Sequence, residues 1–355
     1  MDPRIWSKLP DHLLEHVLSF LPLKAFLGLR STCKHFKSLP FTPYFISRHS
    51  LPQSPPPFSS FLLLSHPHFH HTCPIFNTAL NTWCSIPLSF PPMPSSHLVA
   101  SSHGLLCYSV PSSSCFVVCN LLSRSLRRLK FPACPFAYDL PTLVPSAANT
   151  YKLFMLSTTG SSRHALVYDS AAASWQRFPS PDPPLNENHH QKGVLHDGGM
   201  LFTTPEPFLI LSFRVESGKW ETPPIDLPEG LVFARLAGDG DRKLYLVGGV
   251  GASGISRSMK LWELGGDGEM WMEVETMPEM VCRKFLSVCY HNYEHVYCFW
   301  HQGLICVCCY TWPEILYYKV SRRTWHWLPK CPSLPEKWSC GFRWFSFTPQ
   351  LYASA

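Results

Sequence analysis

Five side chains that can bind metals crowd one short run, HPHFHHTC: His66, His68, His70, His71 and Cys73. Imidazole and thiolate are the usual ligands of zinc, so metal binding is the chemistry this run could offer. Neighbours on a strand point to opposite faces, however, and structural zinc sites join two ligand clusters at set spacings. A solvent-exposed loop between strands fits the run better, and no metal is expected. Cys306, Cys308 and Cys309 lie in the apolar stretch GLICVCCY and read as strand packing. GDGDRK (238–243) and GGDGE (265–269) read as hairpin turns, since calcium loops need more carboxylates at fixed spacing. Neither a G-x-S-x-G elbow nor a GxxxxGK[ST] phosphate loop occurs. These residues predict no catalytic group and no cofactor, which turns attention to the elements that carry them.

Composition favours a large folded core. Hydrophobic residues make up 45% of the chain and aromatics 14%, while charged residues make up only 15%, against roughly 25% in an average globular protein. Thirty-five prolines oppose long helices and favour turns and strand edges. The net charge is +6, with the basic excess confined to residues 1–180. Its densest cluster, Arg124, Arg127, Arg128 and Lys130, reads as a solvated hairpin edge rather than a nucleic-acid site. The fifteen cysteines follow a start, MDPRIWSKLPDH, that has no apolar signal core. They therefore read as buried thiols of a reducing compartment, with Cys107, Cys119, Cys289 and Cys298 in apolar strand-like runs. The longest apolar run, 303–310, is about half the roughly 20 residues that cross a bilayer. A cytoplasmic or nuclear protein with no membrane and no nucleic-acid partner is expected.

The first fifty residues differ from the rest. In LPDHLLEHVLSFLPL (9–23), Leu13, Leu14, Val17, Leu18 and Leu21 form one stripe at helical spacing. Pro10 suits the first turn and Asp11 complements the helix dipole there. Phe26, Leu29, Cys33, Phe36 and Leu39 repeat the spacing, which predicts two or three short helices ending near Phe45. So small a helical unit buries too little surface to stand alone, and the stiff spacer LPQSPPPF (51–58) sets it apart from the remainder of the chain. A stripe so placed suits another protein.

This segment resembles an F-box, the motif that docks substrate receptors onto SCF-type ubiquitin ligases. The pattern is carried by Leu9-Pro10, Asp11, Leu13-Leu14, Val17-Leu18 and Leu21-Pro22, then Arg30, Cys33-Lys34 and Phe36, where Phe36 replaces the commoner Trp. The resemblance implies that Leu9, Pro10, Leu13, Leu14, Val17, Leu18, Leu21, Pro22, Leu29, Arg30, Cys33, Lys34 and Phe36 bind a Skp-type adaptor, which in turn binds a cullin. An apolar helix face laid into a groove is a recurrent mode of recognition.

Beyond residue 58 the chain repeats. An apolar residue, usually aromatic, is followed seven positions later by Trp, with Pro usually about four further on: FNTALNTWCSIP (76–87), YDSAAASWQRFP (168–179), FRVESGKWETPP (213–224) and YKVSRRTWHWLP (318–329). Degenerate copies are CNLLSRSLRRLKFP (119–132), with Leu126 for Trp, and LGGDGEMWMEVETMP (264–278), with Trp271. The markers 83, 126, 175, 220, 271 and 325 recur with a period near 48, and kelch repeats run about 50 residues. Each copy reads as a hairpin, and most are preceded by a strand-like run: HGLLCYS, YKLFMLS, GGMLFTT, KLYLVGG or HVYCFW. KLYLVGG, ending in Gly248 and Gly249, resembles a kelch signature.

The fold predicted is mainly β: a six-bladed kelch-like β-propeller (59–355) preceded by a proline-rich linker (51–58) and a small all-α F-box (1–50). Its C-terminal strand, Phe342–Phe347, is expected to pair within the blade that holds Trp83. The resemblance implies a non-catalytic receptor that holds a target protein for ubiquitination, so that proximity does the work. A non-degradative F-box scaffold is the alternative. A propeller enzyme is a further one, and the secreted copper oxidases among kelch propellers would need a signal and a ligand set that this sequence does not display. Connections 66–72, 181–192, 251–259 and 300–303 are candidates for holding the target, with His189, His190, Trp300 and His301 as candidate contacts.

Overall fold

A computed structural model describes residues 9–18, 20, 32–39, 42, 60–69, 72–87, 96–146, 150–158, 163–185, 190–240, 242–266, 268, 270–350 and 353–355. The repeated hairpin is its organising unit. In all six copies the apolar residue and the marker are direct cross-strand partners: Phe76 with Trp83, Cys119 with Leu126, Tyr168 with Trp175, Phe213 with Trp220, Leu264 with Trp271 and Tyr318 with Trp325. A spacing of seven leaves room for a tight turn between two facing residues, which fixes register locally.

Each hairpin forms the outer half of a four-stranded antiparallel sheet, and six such sheets form a β-propeller. Blade 2 comprises β4 (His97–Ser102), β5 (Leu105–Val110), β6 (Cys115–Asn120) and β7 (Ser125–Lys130). Blade 3 comprises β8 (Tyr138–Pro145), β9 (Tyr151–Ser157), β10 (His164–Asp169) and β11 (Ser174–Phe178). Blade 4 comprises β12 (Val194–His196), β13 (Gly199–Thr203), β14 (Ile210–Arg214) and β15 (Lys219–Glu221). Blade 5 comprises β16 (Leu231–Gly238), β17 (Leu244–Ala252), β18 (Ile255–Leu264) and β19 (Trp271–Thr276). Blade 6 comprises β20 (Val296–His301), β21 (Leu304–Cys309), β22 (Trp312–Lys319) and β23 (Thr324–Trp327).

Blade 1 closes the ring as expected. Its three outer strands, β1 (Phe61–Ser65), β2 (Thr72–Asn77) and β3 (Thr82–Pro87), come from the start of the propeller, and its innermost strand, β24 (Arg343–Phe347), comes from the other end. Leu63 faces Phe345 and Leu64 faces Trp344 across the seam. Phe342 lies just outside the strand. Closure of this kind removes the open edge that would invite aggregation.

The core is divided in the same six-fold way, one apolar cluster at each junction between blades. Phe116, Leu153 and Tyr168 pack between blades 2 and 3, and Phe154, Phe202 and Phe213 between blades 3 and 4. Leu201, Leu236 and Trp262 fill the next junction, then Val247, Met259 and Leu316, then Leu62, Cys306 and Trp344, then Leu63, Leu106 and Phe345. Three markers also latch blade to blade. Trp83, Trp175 and Trp220 donate their indole N–H groups to the carbonyls of Pro329, Lys130 and Pro179, each at 3.0 Å. Each acceptor stands four residues after the preceding blade's marker, which gives the recurrent Trp and the position four beyond it a joint role. Leu126 has no such donor, and the indole nitrogens of Trp271 and Trp325 are buried without a partner.

The paired glycines have a packing reason. A Cβ on Gly248 would stand 2.6 Å from Leu231, and one on Gly249 would stand 2.5 Å from the Phe233 ring. Strand β16 can lie this close to β17 only where the side chains are absent.

Several expectations are corrected. HVYCFW forms the innermost strand of blade 6, and a further strand, β21, the apolar run that holds Cys306, Cys308 and Cys309, stands between it and the hairpin's β22. Residues 251–259 are not an open connection but mostly the paired ends of β17 and β18. Between blades 5 and 6 lies an unexpected helix, α3 (Glu279–Cys289), whose Cys282, Phe285, Leu286 and Cys289 are buried. Cys289 is therefore helical rather than in a strand. Lys284 lies 4.0 Å over the Trp327 ring, fastening α3 to blade 6. His66 is not a loop ligand in solvent: it is buried, stacked at 4.4 Å on Phe342, with Nε2 bonded to Ser339 O. Among the described residues no cluster of three metal-ligating side chains occurs; His70 and His71 lie outside them.

Candidate functional site

The N-terminal stripe forms helix α1 (Asp11–Leu18), with Pro10 O accepting from the amides of Leu13 and Leu14. Leu14 and Leu18, one turn apart, are buried at 9% and 1% exposure. Leu13 and Val17, also one turn apart, are 44% and 42% exposed, and Phe20 beyond them is 64% exposed. The stripe therefore has two edges, one turned into this chain and one offered outward. In α2 (Lys34–Ser38), Cys33 caps the start by accepting the Phe36 amide at its Sγ, and Leu39 is buried. Cys33 and Lys34 are exposed and Phe36 is half-buried. Leu9 and Pro10 precede α1; Leu21, Pro22, Leu29, Arg30, Phe45 and the spacer 51–58 lie outside the described residues.

The candidate target contacts divide between the two faces of the ring. Adjacent strands run antiparallel, so connections from second to third strand and from outer strand to the next inner strand share one face. Residues 66–69, 181–185, 190–192 and the β17–β18 turn belong to that face. Segment 300–303, joining β20 to β21, belongs to the other. His189 lies outside the described residues; His190 stacks on Tyr310 at 4.1 Å. Trp300 is half-buried and stacks on Tyr245 at 5.6 Å, nearly parallel.

His301 is buried at 1% exposure and is no surface contact. Its Nδ1 pairs with Ser346 Oγ at 2.8 Å and its Nε2 with Thr78 Oγ1 at 3.3 Å, so it joins blade 6 to blade 1. Burial pushes its imidazole down to about 4 from 6.5. The folded ring thus keeps His301 neutral while the unfolded chain protonates it below about pH 6.5. Stability is full above that pH and falls as pH drops toward 4, by about 3 kcal/mol for this group alone. Urea unfolding at pH 7.5 and 4.5 checks this, with His301→Gln expected to show a smaller difference than wild type.

The innermost strands line an axial cavity of about 400 Å³ that opens to solvent. All six blades contribute to it, through Ser101, Thr142, Leu195, Ala237, Trp300 and Phe345 among others. The segment leading into β12 crosses the axis. Gln191 there is buried, its Nε2 donating to Leu236 O at 3.1 Å and its Oε1 accepting from Cys298 N at 2.9 Å. Lys192 follows, with Nζ 4.0 Å over the Phe345 ring. Neither residue carries a sequence motif; both were placed by contacts between distant blades. Thiols around the ring are locked by burial, which pushes Cys73, Cys119 and Cys298 up to about 12, and all fifteen cysteines are unpaired.

Residues 6–47 match the F-box domain model. An F-box/kelch-repeat protein of Arabidopsis thaliana is 52% identical over the whole of this chain and 89% of its own length. The chain belongs to the F-box/kelch-repeat proteins. More distant relatives are similar over much of the chain as well. Protein ABERRANT PANICLE ORGANIZATION 1 of Oryza sativa subsp. japonica is 27% identical over all of this chain and 91% of its own. SKP1-interacting partner 15 of Arabidopsis thaliana is 27% identical over 68% of this chain and 71% of its own. As an F-box/kelch-repeat protein, this chain has its F-box around α1 and α2 and its propeller behind. Among its described residues no helix is long and apolar enough to cross a membrane.

Proposed function

We propose that this F-box/kelch-repeat protein is the substrate-recognition subunit of an SCF-type ubiquitin ligase, present in the cytoplasm or nucleus. Residues 1–50 act as the docking unit, 51–58 as the spacer and 59–355 as the target-binding ring. The observation that carries the reading is the exposed apolar edge of α1, Leu13, Val17 and Phe20, within a matched F-box. The name of SKP1-interacting partner 15 supports a Skp-type adaptor as its occupant. A cullin would follow through that adaptor. The ring performs no bond chemistry of its own; it raises the effective concentration of a target lysine near the charged conjugating enzyme.

Burying a Leu or Val side chain contributes about 1.5–3 kcal/mol. Replacing both Leu13 and Val17 with Asp is therefore expected to weaken adaptor binding by about 100-fold or more, with thermal unfolding of the ring unchanged. Calorimetric titration with a purified Skp-type adaptor reads the effect, and undiminished binding would remove the reading. Leu14→Asp with Leu18→Asp is a different experiment, because those side chains are buried and their loss unfolds the helical unit. Target turnover that needs residues 1–50 separates a degradative receptor from a scaffold.

A further inference from the structure

Among the described residues, no group of opposite charge faces the Lys192 amine in the axial cavity. Lys192 is half-buried and lines the cavity. Among the described residues its Nζ has no hydrogen-bond or ion-pair partner, and it stands 4.0 Å over the face of Phe345. Among the described residues no Asp or Glu lines the cavity. The charges and thiols that act on the amine are Arg343, which repels it, and Cys107, a buried thiol held neutral. An unpaired buried cation costs stability unless something pairs with it.

The remaining walls describe the pairing group's body. Phe299 and Trp300 supply half-buried apolar surface, edged by the buried Trp344 and Phe345, and Ser101 and Thr142, whose hydroxyls bond to Ser346 O and Leu140 O, border it. A volume of about 400 Å³ is in the range of small-molecule pockets, and apolar walls with a few placed polar groups are their usual lining. One amine balances one negative charge, so a monoanion fits better than a phosphate dianion. We propose that the axial cavity binds a small organic carboxylate, its anionic group on Lys192 Nζ and its apolar body against the aromatic walls. Burial, and then the Arg343 charge, push the empty amine down to about 7, and an arriving carboxylate restores the charged form. The site stands independently of adaptor docking by α1, so either can fail alone.

The test uses the full chain with benzoate, 3-phenylpropionate and octanoate, each matched by its neutral alcohol, and with inorganic phosphate. Saturation-transfer NMR and thermal shift are the readouts. At least one acid is expected to bind about tenfold more tightly than its alcohol, and Lys192→Met is expected to remove that difference while leaving the alcohol unchanged. Should Lys192→Met fail to fold, reductive methylation of the wild type is read by mass spectrometry, where the bound acid is expected to protect Lys192 selectively. Three results would overturn the proposal: no acid binds, the acid preference survives in Lys192→Met or leaves Lys192 unprotected, or phosphate displaces the acid at equal concentration.

Discussion

Replacing Trp344 with alanine is expected to lower the stability of the propeller by about 3–5 kcal/mol. Trp344 is 2% exposed on β24, opposite Leu64, and packs with Leu62, Tyr297 and Cys306 between blades 6 and 1. Its backbone N–H donates to the Tyr297 hydroxyl at 2.8 Å, and its ring lies 5.9 Å from that of Trp83. Removing the indole opens a void at the one seam where the two ends of the propeller meet. The same seam depends on the indole bond from Trp83 to Pro329 and on His301, so the losses would couple rather than add. Urea denaturation followed by tryptophan fluorescence measures the change; a loss below 1 kcal/mol would show that the seam contributes little. Trp344→Phe serves as control, since the indole nitrogen has no partner to lose.

The adaptor-facing edge and the ring make different demands on sequence, which explains how far each could be read. The outer hairpins were legible because their register is local: seven residues separate Tyr168 from Trp175, and the turn between them decides the pairing. The closing strand was legible because a first blade with three strands needs a fourth. The innermost strands β8 and β16 were not, since they are buried by neighbours far away in the chain and show little alternation. Helix α3 did leave a signal, with Cys282, Phe285, Leu286 and Cys289 at helical spacing, but its surroundings read as strands.

At the site, the F-box motif was legible as residue types in order. Which edge of α1 faces outward was not, because a helical stripe gives no hint of what covers it. Leu13 and Leu14 are adjacent and chemically equal, yet one is exposed and the other buried. Lys192 was hidden for a related reason: it looked like the end of a surface connection, and only the convergence of six strands on the axis makes it interior. Positions set by long-range convergence leave no local periodicity to read.

Arg235 gives the second large effect, and the order of two substitutions is its sharper content. The side chain is fully buried on β16, with Nε donating to Val296 O at 2.6 Å, Nη1 to Ala234 O at 2.7 Å and Nη2 to Tyr293 O at 2.6 Å. It binds the inner strand of blade 5 to the chain entering blade 6, using the planar fork that only arginine has. Arg235→Met leaves carbonyls of Tyr293 and Val296 without this donor, at about 1–3 kcal/mol each, offset by relief from burying a charge. A net loss of about 2–4 kcal/mol is expected. Arg235→Lys keeps the desolvated charge but cannot reach three diverging carbonyls with one ammonium group. It is therefore expected to destabilise more than Met, although it conserves charge. Paired urea titrations of the two variants decide the matter, and a lysine variant as stable as wild type would mean that charge, not the fork, joins the two blades.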